Sequence, residues 1–546
     1  MRSRGILPAL ALAATLAACN TSAPPLDPTP TTEAPIEVPI APDSATYQAK
    51  ELRFSAPAPQ GNPFTTVSFS AEFRGPSGQT LAVPGFHDGG SAWAVRFAAP
   101  APGKWTYATR SNLAALDGKQ GSLLVGPAGG RHGGLVVDPA DRHRFRHQDG
   151  TPAFLLGYEA DWLWALPLAS PAARRAEHFL EKLKDAGFTQ VSVNAFAHDT
   201  QWCPGKQQCG DQADDYGPAP GSPWPVTGGA TDYSRLDLGF WHAFDRVVAH
   251  ADALGLTVNI QFRSWNKGVS WPANRSPADD LYFDWIVARY AAYNVTWDFS
   301  KESFVTAAQD PAYIRDRLER VAARDPYRRP RTANHLDETW SGWAPARPWL
   351  DFYSMQTHAR WHQETLEQRR VLGVPVLVAE YGYEHGPGGP GDVTFPGVAG
   401  SGNQGPEEMA RRALEIITAG GYPGYYYART AWDVLRPQDD PPGYQLFGRI
   451  ARFVRSTSFW RLEPHDELAS GAYLLADPGR EYLVYPTGSQ PALLTVSGAA
   501  APLPVRWLNV STGGEAPGPA VGNGTVTLAP PPGLGSGILL ARVGPP

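Results

Sequence analysis

The spacing of apolar residues changes twice along the chain. In residues 46–135, Val67, Phe69, Ala71 and Phe73 alternate with polar residues, the period of two that is typical of half-buried β-strands. Several short strands separated by Gly and Pro turns predict a small β-sandwich in this region. Residues 458–546 show a similar pattern, which predicts a second β-sandwich at the C-terminal end.

Residues 136–457 differ, because short apolar runs alternate there with amphipathic helical segments. The predicted strands are Ala153–Gly157, Gln190–Asn194, Leu256–Phe262, Asn294–Asp298, Arg331–His335, Leu350–Gln356, Pro375–Glu380 and Gly421–Tyr427. Ser170-Pro171 and Ser276-Pro277 each combine an N-cap with a proline at the first helical position, so two helices are expected to begin there. Alternating strands and helices predict a (β/α)₈ barrel. An open doubly wound sheet is the alternative, although no Gly-rich nucleotide-binding motif follows the first strand.

Composition and charge narrow the classes of protein that this chain represents. The chain has 546 residues, 42% of them hydrophobic, which is enough to fill several cores and excludes wholesale disorder. Its 47 basic and 53 acidic residues give a net charge of −6, without the positive surplus expected of a nucleic-acid-binding protein. The 56 glycines and 54 prolines predict many turns and loops. The length therefore fits three folded domains.

The first 45 residues indicate export and membrane anchoring. Basic Arg2 and Arg4 precede a short apolar run, and residues 16–19, Leu-Ala-Ala-Cys, resemble a bacterial lipobox in which Cys19 is lipidated. The alternative is an ordinary signal peptide whose cysteine is incidental. Residues 20–45 are rich in Pro and Thr and predict a semi-extended tether. We therefore expect an exported protein anchored by lipid at the bacterial cell envelope.

Two carboxylates at predicted strand ends are the main candidates for chemistry. The fourth strand leads through Asp298 to Lys301 and Glu302, and the seventh strand ends at Glu380. The carboxyl ends of barrel strands form the active-site face, and a buried carboxylate there needs a partner or a catalytic role. Glu380 alone could form a structural ion pair. The pair, however, matches the two carboxylates that glycoside hydrolysis requires.

These segments resemble those of a known group of enzymes. Residues 297–302 and 378–382 look like the acid/base and nucleophile segments of clan A barrel glycosidases, and residues 46–546 resemble the apiosidase-like bacterial glycoside hydrolases. The resemblance extends to an N-terminal β-sandwich, at residues 93–105, and to a C-terminal β-sandwich of the collagen-binding type, at residues 507–513. It implies a retaining enzyme with Glu302 as acid/base and Glu380 as nucleophile. Lys301 departs from the pattern, because clan A enzymes usually have Asn before the acid/base, and its orientation is left open.

Other polar and aromatic residues near strand ends are candidates for binding a sugar. These candidates are Glu159, Asp161, Trp162, Asn194, His198, Trp265, His335, His358, Tyr381 and Trp432. Each of them also fits a packing or loop role. The indole rings are candidates mainly because so many of them fall on the predicted active-site face of the barrel. Tyr381 is expected to hydrogen-bond the nucleophile or to line the site. Asp298 is expected to make a buried hydrogen bond, and Glu384 to lie exposed on a loop.

The remaining signals concern cross-links, cofactors and partners. Cys203 and Cys209 lie six positions apart in the loop after the second strand, and in an exported protein this spacing predicts a disulfide. Neither a zinc-type Cys/His cluster nor a Gly-x-Ser-x-Gly motif is present, so no metal or cofactor is expected. The preferred hypothesis is a retaining glycoside hydrolase acting on an extracellular carbohydrate. The rival is a non-catalytic carbohydrate-binding lipoprotein with a degenerate barrel, and the oligomeric state stays open.

Overall fold

The alternating N-terminal pattern builds a seven-stranded sheet. The computed structural model describes residues 41–57, 59–197, 219–264, 270–303, 310–336, 349–389, 403–431, 434–488 and 490–545. The first strands are β1 (Ser44–Ala45), β2 (Ala49–Ser55), β3 (Phe69–Arg74), β4 (Thr80–His87), β5 (Ala92–Ala98), β6 (Gly103–Ser111) and β7 (Gln120–Gly126), with the short helix α1 at Pro63–Thr66. Their order in the sheet is β1-β7-β6-β3-β4-β5-β2. Phe73 stacks on Phe97 at 3.8 Å between ring centroids in the core of this region.

A small antiparallel sheet follows and leads into the strand–helix region. Its strands are β8 (Leu135–Val137), β9 (Phe145–His147) and β10 (Pro152–Ala153). The predicted first barrel strand, Ala153–Gly157, was therefore placed too early, because β10 ends at Ala153 and the first strand of the large sheet begins at Gly157.

The strand–helix region contains the alternation that the sequence predicts. Its strands are β11 (Gly157–Glu159), β12 (Gln190–Asn194), β13 (Val226–Thr227), β14 (Ala230–Thr231), β15 (Thr257–Ser264), β16 (Val295–Lys301), β17 (Arg331–Thr332), β18 (His335–Leu336), β19 (Tyr353–Gln356), β20 (Val376–Glu380), β21 (Tyr383–Glu384), β22 (Asn403–Gln404) and β23 (Tyr422–Tyr425). Its helices are α2 (Ala165–Ala169), α3 (Arg175–Asp185), α4 (Leu238–Ala253), α5 (Pro277–Tyr290), α6 (Pro311–Arg324), α7 (Trp361–Leu372), α8 (Pro406–Thr418) and α9 (Gly443–Arg455). Among the described residues, none of these helices is long and apolar enough to span a bilayer.

Nine strands of this region form one sheet that nearly closes on itself. Their order is β17-β16-β15-β12-β11-β23-β20-β19-β18, and every pair in it is parallel. The two outer strands, β17 and β18, are consecutive in the chain and are separated by Ala333 and Asn334 alone. The sheet is therefore a nearly closed barrel. Since all its strands run the same way, their carboxyl ends lie at one end of it.

One of the two predicted helix starts is confirmed and the other is wrong. The Ser276 side chain accepts a hydrogen bond from the Asp279 backbone N–H, and Pro277 is the first residue of α5. Pro171, in contrast, opens only a short 3₁₀ turn. Arg174 then adopts a left-handed conformation with φ of 48°, so α3 begins one residue later, at Arg175. The break at Arg174 separates the proline signal from the helix to which it was assigned.

The C-terminal strands form two further sheets. They are β24 (Glu463–Pro464), β25 (Ala469–Ser470), β26 (Ala472–Asp477), β27 (Glu481–Pro486), β28 (Ala492–Val496), β29 (Leu503–Asn509), β30 (Glu515–Val521), β31 (Gly524–Leu528) and β32 (Leu539–Val543). A six-stranded sheet has the order β24-β26-β27-β32-β29-β30, and a three-stranded sheet has the order β25-β28-β31. Residues 42–546 cluster as one compact unit, so the domain boundaries expected at 135/136 and 457/458 stay predictions.

A buried charge network joins the N-terminal sheet to the helices around the barrel. Arg96 of β5 and Arg289 of α5 both contact the carboxylate of Asp245 of α4, at 2.6 and 2.5 Å. Arg289 also pairs with Asp88 at 3.0 Å, and Arg96 donates to the Arg289 backbone carbonyl at 2.9 Å. Burial alone would raise the pKa of Asp245, but the two guanidinium groups lower it. Arg96 also pairs with Glu51 at 2.9 Å, so each cation has a second carboxylate, and Asp245 is the carboxylate that both cations share.

Replacing Asp245 with Ala is expected to lower the free energy of unfolding by about 3–5 kcal/mol, because two buried guanidinium groups lose their shared counter-ion. Urea denaturation of the full chain measures this change. Glu319→Ala is the matched control, since Glu319 pairs with Arg315 on an exposed helix face and such pairs contribute about 0.5 kcal/mol or less. Equal effects of the two substitutions would contradict the proposed importance of the network.

Candidate active site

Polar side chains from five strands converge at the carboxyl end of the nearly closed barrel. Their backbone positions follow from the parallel register, in which the ends of β11, β12, β16, β19 and β20 lie side by side or one strand apart. The buried residues of this group are Glu159, Asp161, Asn194, Lys301, Glu302, Gln356 and Glu380. Charged groups of this kind are costly to bury, so their contacts decide what the site can do.

Lys301 is the centre of this group. Its ammonium nitrogen lies 3.2 Å from Glu380 Oε2, 3.4 Å from Asp161 Oδ1 and 3.7 Å from Glu159 Oε2. It also donates a hydrogen bond of 2.9 Å to the hydroxyl of Tyr426. The Lys301 side chain is 2% exposed, so a single buried cation is shared by carboxyl groups that follow β11 and β20. This arrangement settles the orientation that the sequence left open: Lys301 turns into the carboxylate cluster.

Two tyrosines donate hydrogen bonds to two of these carboxylates. The Tyr383 hydroxyl donates to Glu380 Oε1, and the Tyr426 hydroxyl donates to Asp161 Oδ2. The two phenol rings contact each other with centroids 4.5 Å apart. The Asn194 side-chain amide donates to the other oxygen of Asp161 at 2.7 Å. Both oxygens of Glu380 and both oxygens of Asp161 therefore have fixed partners.

Glu302 occupies a different setting. It follows the last residue of β16 in the left-handed region, with φ of 54°, which is strained for a residue other than glycine. Its backbone N–H donates to Asn334 Oδ1 at 3.1 Å, and its Oε1 accepts from the Gln356 amide at 3.3 Å. Gln356 is paired with Glu380 in the register of β19 and β20. The residue that hydrogen-bonds one catalytic candidate is therefore the strand neighbour of the other.

Asp298 of β16 stabilises the position of Glu302 through buried hydrogen bonds. Its Oδ1 accepts from the backbone N–H of Asn334 at 2.8 Å, and its Oδ2 accepts from the Asn259 amide at 3.3 Å. Because Asn334 also bonds to Glu302 and to Ser354, Asp298 holds in place the residue that positions Glu302. The expectation that Asp298 makes buried hydrogen bonds is met.

Burial and mutual contact raise the pKa values of Glu159, Asp298 and Lys301, for different reasons. Burial raises the pKa of Glu159 to about 8, because it outweighs the opposing effect of Lys301. Burial likewise raises the pKa of Asp298 to about 7. Burial alone would lower the pKa of Lys301, but the surrounding carboxylates, first Asp161 and Glu380, raise it. At neutral pH the cluster therefore contains a charged lysine and a largely protonated Glu159.

Two expectations for residues after β20 are wrong. The tyrosine that donates to Glu380 is Tyr383, whereas the Tyr381 hydroxyl is buried without a hydrogen-bond partner among the described residues. Successive side chains of a strand point to opposite faces, and Gly382, with φ of 135°, bends the chain so that Tyr383 returns to the site. Glu384 is fully buried rather than exposed, since its carboxylate accepts from Tyr425 and from the backbone of Gly443.

The tryptophans after β11 are packing residues in this structure. Trp162 and Trp164 stack on each other at 5.4 Å between ring centroids, and neither is exposed. Their burial gives no support to Trp162 as an open platform for a sugar. His335 is also fully buried at the start of β18, and His358 is half-buried after β19. Sugar contacts by these residues stay predictions.

Several expectations fall on residues outside the described ranges. These are the lipidation of Cys19, the Cys203–Cys209 disulfide, and the sugar contacts of His198, Trp265 and Trp432. Within the described residues, no group of three or more His, Cys, Asp or Glu side chains is arranged to hold a metal ion. Tyr383, Tyr426, Gln356 and Asn334 are not among the residues that the sequence predicts for this site. The run Tyr425-Tyr426-Tyr427 at the end of β23 was the available signal for one of them.

Comparison with known families places this site in context. The family model of the apiosidase-like catalytic domain matches residues 139–471, which includes every strand of the barrel. The model of a domain of unknown function, DUF5060, matches residues 43–112 in the N-terminal sheet. No curated protein matches the sequence.

Solved structures share the fold at low sequence identity. A crystal structure from Bacteroides vulgatus ATCC 8482, provisionally described as a glycoside hydrolase, is 19% identical with a TM-score of 0.74, over 92% of this chain and 99% of that one. A glycoside hydrolase family 5 structure from the same strain is 16% identical with a TM-score of 0.54, over 76% of this chain and 93% of that one. At these identities the likeness concerns the fold alone.

Replacing Lys301 with Met is expected to lower the free energy of unfolding by about 3–5 kcal/mol, because the buried carboxylates of Asp161 and Glu380 lose their shared cation. Chemical denaturation at neutral pH measures the change. The matched control is Lys104→Met, which removes an exposed lysine of β6 and should change stability by about 0.5 kcal/mol or less. A Lys301→Met protein as stable as the control would contradict the shared-cation description.

Proposed function

The chain belongs to the apiosidase-like catalytic-domain family, and from this premise we propose that it is a retaining glycoside hydrolase, with Glu380 as nucleophile and Glu302 as acid/base. The observation that supports the proposal most is the contrast between two buried carboxyl groups at the carboxyl ends of β16 and β20. Glu380 is oriented by an ion pair with Lys301 and a hydrogen bond from Tyr383. The Oε1 atom of Glu302 accepts a hydrogen bond from the neutral amide of Gln356. A retaining glycosidase needs two carboxyl groups with such different tasks.

In the first step, a carboxylate oxygen of Glu380 attacks the anomeric carbon of the sugar. The bond from that carbon to the leaving oxygen breaks, and the protonated carboxyl group of Glu302 gives its proton to the departing oxygen. The result is a covalent glycosyl-enzyme and a released alcohol. The ion pair and the Tyr383 hydrogen bond hold Glu380 in a single orientation, which reduces the entropy lost on reaching the transition state.

In the second step, the ionised Glu302 takes a proton from water as the water oxygen attacks the anomeric carbon. The bond to Glu380 breaks, and the carboxylate returns to its ion pair with Lys301. Lys301 acts as a positioning residue in this scheme. It occupies the place where clan A enzymes usually have Asn, and its ammonium is directed at the nucleophile and Asp161.

The proposal also includes a (β/α)₈ barrel flanked by two β-sandwich domains, and a location at the cell envelope. The near-closure of the nine-stranded sheet between β17 and β18 supports a (β/α)₈ barrel, with β-sandwich domains on both sides of it in the chain. The substrate is an extracellular poly- or oligosaccharide, and Cys19 carries a lipid anchor at the cell envelope.

Cys19→Ser is expected to move the protein from the membrane fraction to the soluble fraction, because the residue that would carry the lipid is lost. Fractionation of cells that express the full chain measures this change, and retention of the variant on membranes would contradict the anchor.

Glu380→Gln and Glu302→Gln are each expected to lower kcat/KM by about 10²–10⁴ or more on natural glycans, because each removes a group that acts only in the transition state. A panel of aryl glycosides and polysaccharides first identifies a substrate. The two variants should then differ. Glu302→Gln should keep most of its rate of glycosyl-enzyme formation on a dinitrophenyl glycoside, whose leaving group needs no proton, while Glu380→Gln should lose activity on every substrate.

The control is Glu384→Gln, which changes a buried carboxyl group four residues from Glu380 whose partners lie outside the proposed machinery. It should leave kcat within about twofold of the unmodified protein. Retention of the anomeric configuration, followed by NMR of the first product, tests the retaining mechanism, and inversion would contradict it. If no glycan is hydrolysed but binding survives the loss of both glutamates, the chain is a carbohydrate-binding protein.

A further inference from the structure

A polar cavity lies at the end of the barrel opposite the candidate active site. Its volume is about 420 Å³, within the usual range for small-molecule sites. Thr189, Asn294 and Arg329, which line it, precede β12, β16 and β17, whereas the candidate catalytic residues follow strand ends. The segment 129–135, rich in glycine, covers the cavity from the side of the N-terminal sheet. The two sites are therefore separated by the length of the strands.

A buried guanidinium group forms one wall of this cavity. Arg329 is 4% exposed, and its side chain donates to the carbonyl of Ala291 and to Gln148 Oε1, each at 3.1 Å. Among the described residues no carboxylate lies within ion-pair distance of it, and burial lowers its pKa against the smaller opposing effects of Asp325 and Asp252. A Cβ atom on Gly134 would overlap its Nη1 atom, so glycine at that position is what admits the guanidinium. Within the described residues, two of its five side-chain N–H donors have protein acceptors.

A second cation stands at the exposed side of the same cavity. The ammonium of Lys184 lies over Gly255, 3.7 Å from the position that a Cβ atom would take there. No described residue offers it a hydrogen bond or an ion pair, and partial burial lowers its pKa, as does Arg455 nearby. Arg131 also lines the cavity, but its charge is taken up by Asp252 at 2.8 Å. The cavity therefore has two positive charges without an ion-pair partner in the described part of the chain, one buried and one at its exposed side.

The cavity also presents unused acceptors. Asn294 Oδ1 is buried without a hydrogen-bond partner among the described residues, and Asn294 is 9% exposed. His147 donates from Nδ1 to the carbonyl of Gly133 at 3.2 Å, and burial lowers its pKa, which keeps the ring neutral and leaves Nε2 as an acceptor. A buried acceptor without a donor is costly, so a ligand hydroxyl group that donates to Asn294 Oδ1 would be favoured, and a second hydroxyl group can donate to His147 Nε2.

We infer that this cavity is a second binding site, which takes a monosaccharide-sized polyol carrying one oxyanion group. The oxyanion pairs with Arg329 and Lys184, and hydroxyl groups donate to Asn294 and His147. A sugar carboxylate and a sugar phosphate share this chemistry. An oxyanion alone would leave the two acceptors unsatisfied, and a neutral sugar would leave the two cations without a counter-ion. The inference does not depend on the proposed hydrolase activity, because the site uses none of the catalytic candidates.

Isothermal titration calorimetry of the full chain at neutral pH tests the inference with four probes: glucuronate, glucose 6-phosphate, inorganic phosphate and glucose. At least one of the first two should bind about tenfold or more tightly than phosphate and glucose. Whichever binds more tightly identifies the source of the oxyanion. Lys184→Met should raise its Kd about tenfold to a hundredfold, the effect of losing a charge-assisted hydrogen bond.

Two further variants distinguish this site from charge-driven binding elsewhere on the surface and from binding at the active site. Lys104→Met, an exposed lysine of β6, should leave Kd within about twofold of the unmodified protein. Glu380→Gln should also leave Kd unchanged, because the probe does not bind at the active site. Equal binding of glucose and glucuronate, equal binding of phosphate and glucose 6-phosphate, or an unchanged Kd in Lys184→Met would overturn the inference. So would loss of binding in Glu380→Gln.

Discussion

The cost of burying a charge determines how the side chains at the carboxyl end of the barrel are arranged. Lys301 is almost inaccessible to water, and a lone ammonium in that position would be expelled or neutralised. It remains charged mainly because the carboxylates of Asp161 and Glu380 lie beside it, and these two groups come from opposite parts of the chain. The same contacts fix the ends of β11, β16 and β20 relative to one another. Protein stability and the geometry of the candidate site therefore depend on one ion cluster.

The hydrogen-bond network around this cluster separates two kinds of carboxyl group. Asp161 and Glu380 receive tyrosine hydroxyls and the shared ammonium, so their oxygens are fully engaged. Glu159 shares the ammonium only at longer distance, and its burial makes it the carboxyl group that holds a proton at neutral pH. Glu159 is the acid that lies furthest from Lys301, and burial outweighs the lysine's effect and raises its pKa. A single cation can balance only part of such a cluster, and the protonated Glu159 reduces the remaining negative charge.

Local patterns predicted the elements well and the side-chain partners poorly. Gln190–Asn194 matches β12 residue for residue, because Val191 and Val193 alternate with polar residues just after the turn at Gly187. The fourth strand was predicted to end at Asp298, yet β16 continues to Lys301. Its last residues include buried polar side chains, and the long-range contacts that bury them cannot be predicted from the local sequence. Tyr383 was missed for a related reason: the bend at Gly382 brings it beside Glu380, and that bend is set by tertiary packing. Glu302 and Glu380 could be named because a carboxylate after an apolar run is visible in the sequence itself.

The backbone at Glu302 connects this geometry to the proposed chemistry. A left-handed conformation costs a residue other than glycine about 1–3 kcal/mol, and glycine at position 302 would avoid that cost. The conformation is maintained by Asn334, which accepts from the Glu302 backbone and is itself held by Asp298 and Ser354. In this backbone conformation the Glu302 side chain lies beside the amide of Gln356. Glu302 and Lys301 are adjacent in sequence, but they therefore contact different residues. Glu302 thereby accepts a hydrogen bond from a neutral amide, while the ammonium of its neighbour Lys301 is directed at Glu380 and Asp161. The left-handed conformation at the end of β16 thus lets two adjacent side chains serve different parts of the site, as the separate tasks of an acid/base and a nucleophile require.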